Sequence, residues 1–433
     1  MFKLRDMKKR PGFLTVFLII LLSLPVLAQK RGNALVKISN PLANERQDEL
    51  VVLTRKFIER KLGAIGKDDI NLRTIKGTPV LLQFDDLDSD GTWDEVAFLY
   101  NFKIRETVTF RLARGRGAMF KAVVRAHVRQ RRKNAGNTFG LPMDRDSVPA
   151  GQPNTDFSKK ALPPFLTEGP AWENDKVGFR IYMDVRNTKD IWGKITPVMM
   201  MDTVGAKPGV NYHEFSNWGM DILAVGKSLG AGSLALLVPV NGKDTLIRLG
   251  GVNMGPVIYQ KVADGPLRAI FRMHYPKWQL TEGLPPVSLT EEISIWGGQY
   301  FYQSKVTVRN APAGAKLVTG IVNLKSEASQ TIHAGAGAAL YTFDQQSENK
   351  DSLGLAVAVP NAKNVIFGET PKASGDGVLS TYTAAMPLIN NTPVQFRFYS
   401  GWIKSSGQFA TQPGFGSYLT KQTANYAGGL VIK

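Results

Sequence analysis

Val177-Gly-Phe-Arg180-Ile-Tyr182-Met-Asp184 reads as a strand, with Arg180, Tyr182 and Asp184 on one face. Similar β-rich runs recur after residue 70: Val80–Phe84, Val96–Tyr100, Thr107–Leu112, Leu234–Val240, Ala269–His274, Val306–Val308 and Phe396–Tyr399. Gly, Pro, Asn and Asp separate them, and no long amphipathic helix intervenes. This spacing predicts an all-β sandwich. The 42 Gly and 24 Pro fit a turn-rich chain. Glu45 to Leu62 is ambiguous: Leu50, Leu53, Phe57, Ile58 and Leu62 suit a helix, while Leu50–Leu53 alone suits a buried strand. The run Arg-Leu-Ala-Arg-Gly-Arg-Gly-Ala over 111–118 interrupts the strand pattern. It divides a small N-terminal β-domain, 29–115, from a larger sandwich, 116–433. Lys133 to Phe165 and Thr203 to Asn217 read as long loops, where binding and catalysis often reside.

The chain opens like an export signal. Lys3, Arg5, Lys8, Lys9 and Arg10 precede an apolar run from Phe13 to Leu27, and Val26 and Ala28 suit cleavage before Gln29. The run is shorter than the ~20 apolar residues of a membrane span. With no Cys, the mature protein holds itself together by burial or metals. A periplasmic or secreted location follows. The formal charge is +18, and removing residues 1–28 leaves +14. Outside the cytoplasm this balance suits an acidic or sulfated oligosaccharide, or only a solvated basic surface. No nucleic-acid-binding motif is present. No organic cofactor is expected, and the oligomeric state is not legible.

Four stretches could carry chemistry. Asp86-Leu-Asp88-Ser-Asp90-Gly91-Thr-Trp-Asp94-Glu95 has the carboxylate and Gly spacing of a Ca2+ loop set between strands. Asp86, Asp88, Asp90 and Asp94 are the ligand candidates for a structural ion. Position 12 is Ala97, and a polar hairpin with Asx turns explains the stretch equally. Lys121 to Lys133 reads as a basic strand with Arg125, His127, Arg129 and Arg131 on one face. Guanidiniums in a row can grip carboxylates or sulfates; a charged edge strand guarding against aggregation is the plainer alternative. Glu168-Gly-Pro-Ala-Trp172-Glu173-Asn174-Asp175 leads into the opening strand. Tyr212-His213-Glu214-Phe-Ser-Asn217-Trp218-Gly-Met-Asp221 follows a loop and holds the best-accompanied of four His. The Gly-rich run after Val225 lacks the phosphate-loop ending. Aromatic rings beside cations are what an acidic sugar needs.

The runs EGPAWENDKVGFRIYMDVRNTKDIWGK, YHEFSNWGMDILAVGKSLGAG and LVTGIVNL, with Asn40-Pro41, Arg46, Glu49 and QFDDLDSDGTWDE upstream, resemble an exported family of long-unassigned function. Its genes accompany polysaccharide-utilisation clusters that degrade pectin-like and ulvan-like glycans. The resemblance implies a galactose mutarotase-like β-supersandwich, a fold shared with polysaccharide lyases, and a link to dehydration of uronate oligosaccharides. A carbon–oxygen lyase or dehydratase takes the C5 proton and expels a group from C4. On that chemistry His213 would be the base, Tyr182 the proton donor and Arg180 the group neutralising the carboxylate. Arg125, His127 and Glu173 would assist binding, with Trp172 and Trp218 as sugar platforms. A glycoside hydrolase would instead use two of Glu173, Asp184, Glu214 and Asp221. A mutarotase-like enzyme and a non-catalytic acidic-glycan binder are further alternatives.

Overall fold

The computed structural model describes residues 32–66, 70–117, 121–155, 162–372 and 377–433. The expected signal segment therefore lies outside the described residues, as does part of the expected domain junction. Within them the protein is all-β, with five antiparallel sheets and two α-helices.

The largest sheet has nine strands. Its centre is Arg268–Trp278, Val287–Trp296, Phe301–Arg309, Val394–Trp402 and Leu353–Val359. Alternation along these strands sends Phe271, Ile293, Tyr302, Phe398 and Val357 to one face. That face meets two five-stranded sheets. One contains Ala235–Val240, Lys316–Val322 and Thr381–Pro387. The other runs in the order Gly219–Asp221, Lys189–Lys194, Val177–Ile181, Ala171–Asn174, Ala126–Arg129. Trp172, Phe179, Ile191 and Met220 of this last sheet join the same core. The layers form the expected large antiparallel sandwich.

The opposite face of the nine-stranded sheet is covered too. Helix Gln412–Ala427 lies on it through Phe415 and Leu419. Its seat depends on Gly354 and Gly401, because a Cβ at either would come within 2.4 Å or 2.6 Å of the Phe415 ring. Leu50 and Leu99 of the N-terminal unit pack beside it. That unit has its own core, including Val36, Val51, Ile58, Phe98 and Phe110. It is not closed by residues 29–115 alone. Val431–Ile432 pairs with Asn33–Ser39, and Leu267 joins the core.

Several local expectations are refined. Glu45 to Leu62 is both things the pattern allowed: strand Arg46–Thr54, then helix Arg55–Leu62, with the Thr54 hydroxyl capping Phe57 N. The basic strand shrinks to Ala126–Arg129. Val80–Phe84 contributes only its last two residues, to strand Gln83–Asp85. The loop after Lys133 contains a short edge strand, Arg145–Val148.

Candidate functional site

The five-stranded sheet that carries Val177–Ile181 buries charge on its outer face. Because Phe179 and Ile181 point into the core, Arg180 must point away from it. Its cross-strand partner is Asp190, and Asp221 lies one strand further on. Residues 195–218 fold over this face, packing Met201, Val204 and Trp218 against Trp192 and Ala171. The alternation that marks a surface strand in the sequence here marks a covered one.

Arg180 is the hub and is only 1 % exposed. Its Nη2 donates to Asp190 Oδ2 at 2.7 Å, Asp221 Oδ2 at 2.6 Å and Tyr182 Oη at 2.8 Å. Nη1 donates to Tyr212 Oη at 3.3 Å and approaches Glu168 Oε2 at 3.5 Å. Arg186 links Glu168 (2.6 Å) to Asp184. Burial works against the charge of Arg180, but Tyr182, Asp221 and Asp190 outweigh it and hold the guanidinium ionised. Burial, reinforced by Asp190, pushes the Asp221 carboxyl well above the usual range despite Arg180. Asp221 therefore tends to keep its proton.

His213 stands at the solvent side of this cluster. Its Nδ1 is 3.4 Å from Asp221 Oδ2, with more than half of the side chain exposed. Burial of the remainder and the charge of Arg180 lower its pKa, which keeps the imidazole neutral at pH 7. Tyr212 lies against it, with ring centroids 4.6 Å apart. Burial raises the Tyr212 phenol above its ordinary value, so it stays protonated. Tyr182 also stays protonated, through burial and then Asp190, and its hydroxyl donates to Asp190.

His213, Tyr182 and Arg180 therefore meet in one cluster, as their segments suggested, but in altered positions. Arg180 is saturated by carboxylates inside the protein, which leaves it no free edge for a uronate. Tyr182 is buried with its proton directed inward. Tyr212, Asp190, Asp221, Glu168 and Arg186 complete the cluster, and Tyr212 has the better-placed hydroxyl. A signal for it existed, since Tyr212 directly precedes His213.

The binding residues are dispersed by packing. Trp172 is fully buried among Phe179, Phe271 and Tyr302 and offers no face to a sugar. Trp218 is also buried, against Trp192. Phe215, two residues along from His213 in the chain, is exposed. Glu173 is inaccessible: it pairs with Lys194 and accepts from Met200 N (2.6 Å) and Met201 N (2.7 Å), which fastens the covering segment. Arg125 is matched by Asp48 (2.6 Å) and Asp175 (2.8 Å). Arg129, expected beside them, is fully buried. It donates to Met201 O, Leu166 O, Gly169 O and Thr167 Oγ1. These bonds brace a turn in which Thr167 (φ 47°) and Glu168 (φ 67°) are left-handed, a conformation costly for side-chain-bearing residues. Arg129 thereby aims Glu168 at Arg180 and Arg186.

His127 is held by Asp264 (Nδ1, 2.9 Å) and Asp202 (Nε2, 3.1 Å). Burial opposes its protonation, but the two carboxylates prevail and raise its pKa to about 9. Both flanking carboxylates are already engaged with the imidazolium, so His127 has no spare charge for a ligand anion. The folded pKa lies above the unfolded one. The stabilisation is therefore complete below pH ~6.5 and lost as pH rises towards about 9. We expect a loss of roughly 2–3 kcal/mol over that interval, reduced for half-exposed Asp202. Denaturant midpoints measured across it should fall in the wild type and stay flat in His127→Gln. Parallel curves for both proteins would refute the assignment.

The acidic hairpin links Gln83–Asp85 to Glu95–Phe102. Asp86, Asp88 and Asp94 bring ligand oxygens within 4.8 Å of one another; Asp90 is not part of that group. The Asp90 carboxylate caps Thr92 N at 2.7 Å, while Asp86 accepts from Ser89, Asp90 and Gly91. Arg272 Nη1 holds Leu87 O at 2.9 Å, tying the hairpin to the nine-stranded sheet.

Fold and cluster together define a class: a large antiparallel β-sandwich protein with a buried arginine–carboxylate hub beneath an exposed histidine. The match over residues 38–430 is to the family described as Domain of unknown function (DUF4861), and the chain belongs to it. Uncharacterized protein P7 of Formosa agariphila is 24% identical over 418 residues, covering 90% of this chain and 91% of that protein. Two solved structures from Enterococcus faecalis cover 93% of the chain. They are a protein in the glycosyl hydrolase family 38 (TM-score 0.46, 11% identity) and an alpha-mannosidase (0.44, 10%). The chain spans about half of their lengths, 47% and 46%. A putative aldose 1-epimerase from Klebsiella pneumoniae covers 70% of the chain and is itself covered to 96% (0.31, 8%). Among the described residues no helix is long and apolar enough to cross a membrane.

Proposed function

We propose that this is an exported polysaccharide-degradation enzyme, a carbon–oxygen lyase or dehydratase acting on uronic-acid oligosaccharides at His213. The observation that carries the reading is a neutral, more than half-exposed imidazole whose Nδ1 lies 3.4 Å from a buried carboxyl, with a protonated phenol against it. Nε2 of His213 takes the C5 proton. The resulting imidazolium faces Asp221, Asp190 and Glu168. Tyr212, whose oxygen already accepts from Arg180, gives its proton to the oxygen leaving C4. The C5–H electron pair becomes the C4–C5 double bond as the C4–O bond breaks, and the imidazolium then returns its proton, through solvent, to the Tyr212 phenolate. Arg180 and Tyr182 act as positioning residues. The assay is appearance of the unsaturated-uronate absorbance on incubation with pectin, ulvan and glycosaminoglycan oligosaccharides. No increase with any of these would defeat the proposal.

A second reading is favoured by the saturation of Arg180. If no cation is spared for a carboxylate, His213 and Tyr212 suit proton exchange on the ring oxygen and O1 of a neutral sugar, a mutarotase-like reaction. Polarimetry with freshly dissolved neutral aldoses separates the two.

We also propose a structural Ca2+ at Asp86, Asp88 and Asp94, the oxygen-donor set a hard cation prefers. Calorimetric titration of chelator-treated protein should give one site with Kd of roughly 0.1–1 mM. The site should be lost in Asp86→Asn/Asp88→Asn. Absence of binding heat together with an unchanged melting temperature would remove the ion.

A further inference from the structure

On the far side of the sandwich from His213, a cavity of about 340 Å³ lies between the nine-stranded sheet and the N-terminal unit. Its floor is a cross-strand array on the sheet's outer face. Ser294 pairs with Gln303, and Gln303 with Arg397; in the next row Glu292 pairs with Lys305, and Lys305 with Gln395. Leu50, Val52, Leu87 and Ile270 are among the other lining residues.

Three carboxylates and three cations line this cavity, but each carboxylate has an arginine partner and one lining cation is left unmatched. Glu49 is taken by Arg46, Glu95 by Arg268, and Glu292 by Arg272 at 2.7 Å with Lys305 at 3.8 Å. Arg268 also pairs with Asp85. Among the described residues Arg397 has no carboxylate within ion-pair distance. It is 9 % exposed; its Nε donates to Gln303 Oε1 at 3.1 Å, and the guanidinium also reaches the Tyr399 hydroxyl. Its guanidinium is caged by Tyr426 (4.0 Å), Phe301 (4.4 Å) and Trp296 (5.2 Å). Cation–π contacts soften the burial of such a charge but provide no acceptor for its N–H groups. The Trp296 ring lies on the lining, and its indole Nε1, which has no accessible surface, makes no hydrogen bond. A buried guanidinium without a carboxylate partner is what an oxyanion satisfies.

We propose that this cavity is an anion subsite in which Arg397, with Gln303 and Lys305 and beside the Trp296 ring, binds a carboxylate or sulfate group such as an acidic saccharide carries. It is separate from the His213 cluster and does not depend on the reaction proposed there.

The test is indole N–H NMR of the intact protein. Trp296, one of seven Trp, is assigned by the peak lost in Trp296→Phe. Sodium D-glucuronate and sodium sulfate are titrated at constant ionic strength, with D-glucose and sodium chloride as controls. The Trp296 signal should shift saturably with glucuronate, sulfate or both, and with neither control. Glucuronate alone would assign a sugar carboxylate; sulfate alone, a sulfate group or the free ion. Lys305→Glu, on a half-exposed side chain, should weaken binding at least tenfold, and Arg397→Gln should abolish it with the remaining indole peaks in place. His213→Ala should leave it unchanged. No saturable shift, an unaltered shift in Lys305→Glu, or loss in His213→Ala would overturn the proposal.

Discussion

Glu173→Ala should destabilise the protein by roughly 3–5 kcal/mol, the cost of stranding a buried charge. Lys194, its partner, has no solvent-exposed side-chain surface. Burial already lowers the Lys194 pKa, and Glu173 is the principal group opposing that shift. Asn174 O, at 2.7 Å, would be the acceptor left to the ammonium. The same substitution removes the acceptor for Met200 N and Met201 N, so the covering segment loosens where it is pinned. Denaturant unfolding should show the loss, and hydrogen exchange should quicken at those two amides before it does in the core strands. Glu173→Gln/Lys194→Met removes both charges and should recover most of the stability. If Glu173→Ala lies within 1 kcal/mol of wild type, about the level of an exposed ion pair, the buried pair does not have the assigned role.

His213→Ala should lower turnover on uronate oligosaccharides by about 10²–10⁴-fold, the usual contribution of a positioned general base. Stability should hardly change, because the side chain is more than half exposed. The pH profile is a sharper discriminator. A histidine base works only when neutral, and this one has its pKa lowered by burial and Arg180. Activity should therefore rise with pH to a plateau, with a midpoint under 6.5. Asp221→Asn should change that midpoint while retaining some turnover, since Asp221 acts through His213. Tyr212→Phe should depress kcat more than it raises KM if the phenol protonates the leaving oxygen. Full turnover in His213→Ala would eliminate the mechanism, as would a midpoint above 6.5.

Strands such as Val287–Trp296 and Phe301–Arg309 were legible because their burial alternates, and that alternation writes a period of two into the sequence. The covered outer face was not. Along Val177–Asp184 the polar positions look solvated, but residues 195–218 cover them, and that covering segment has no period of its own. Trp172 illustrates the same limit: beside Glu173 and Asn174 it resembles a binding aromatic, yet its parity on the strand places it with Phe179 in the core. The +18 formal charge also misleads locally. Arg125, His127 and Arg180 find carboxylates from Asp48, Asp202 and Asp190, contributed by other segments. Arg397 was missed for the opposite reason, because a lone arginine in a strand carries no sequence signal of being unpaired.

Val431–Ile432 against Asn33–Ser39 has a consequence for the order of assembly. The first strand of the N-terminal unit has a partner within that unit, Thr107–Arg114, but its other edge waits for residues almost the full chain away. Until they arrive, that edge presents open N–H and C=O groups to any passing strand. That edge stays open until residues 431–432 have been made, so a holding chaperone would find its natural grip there.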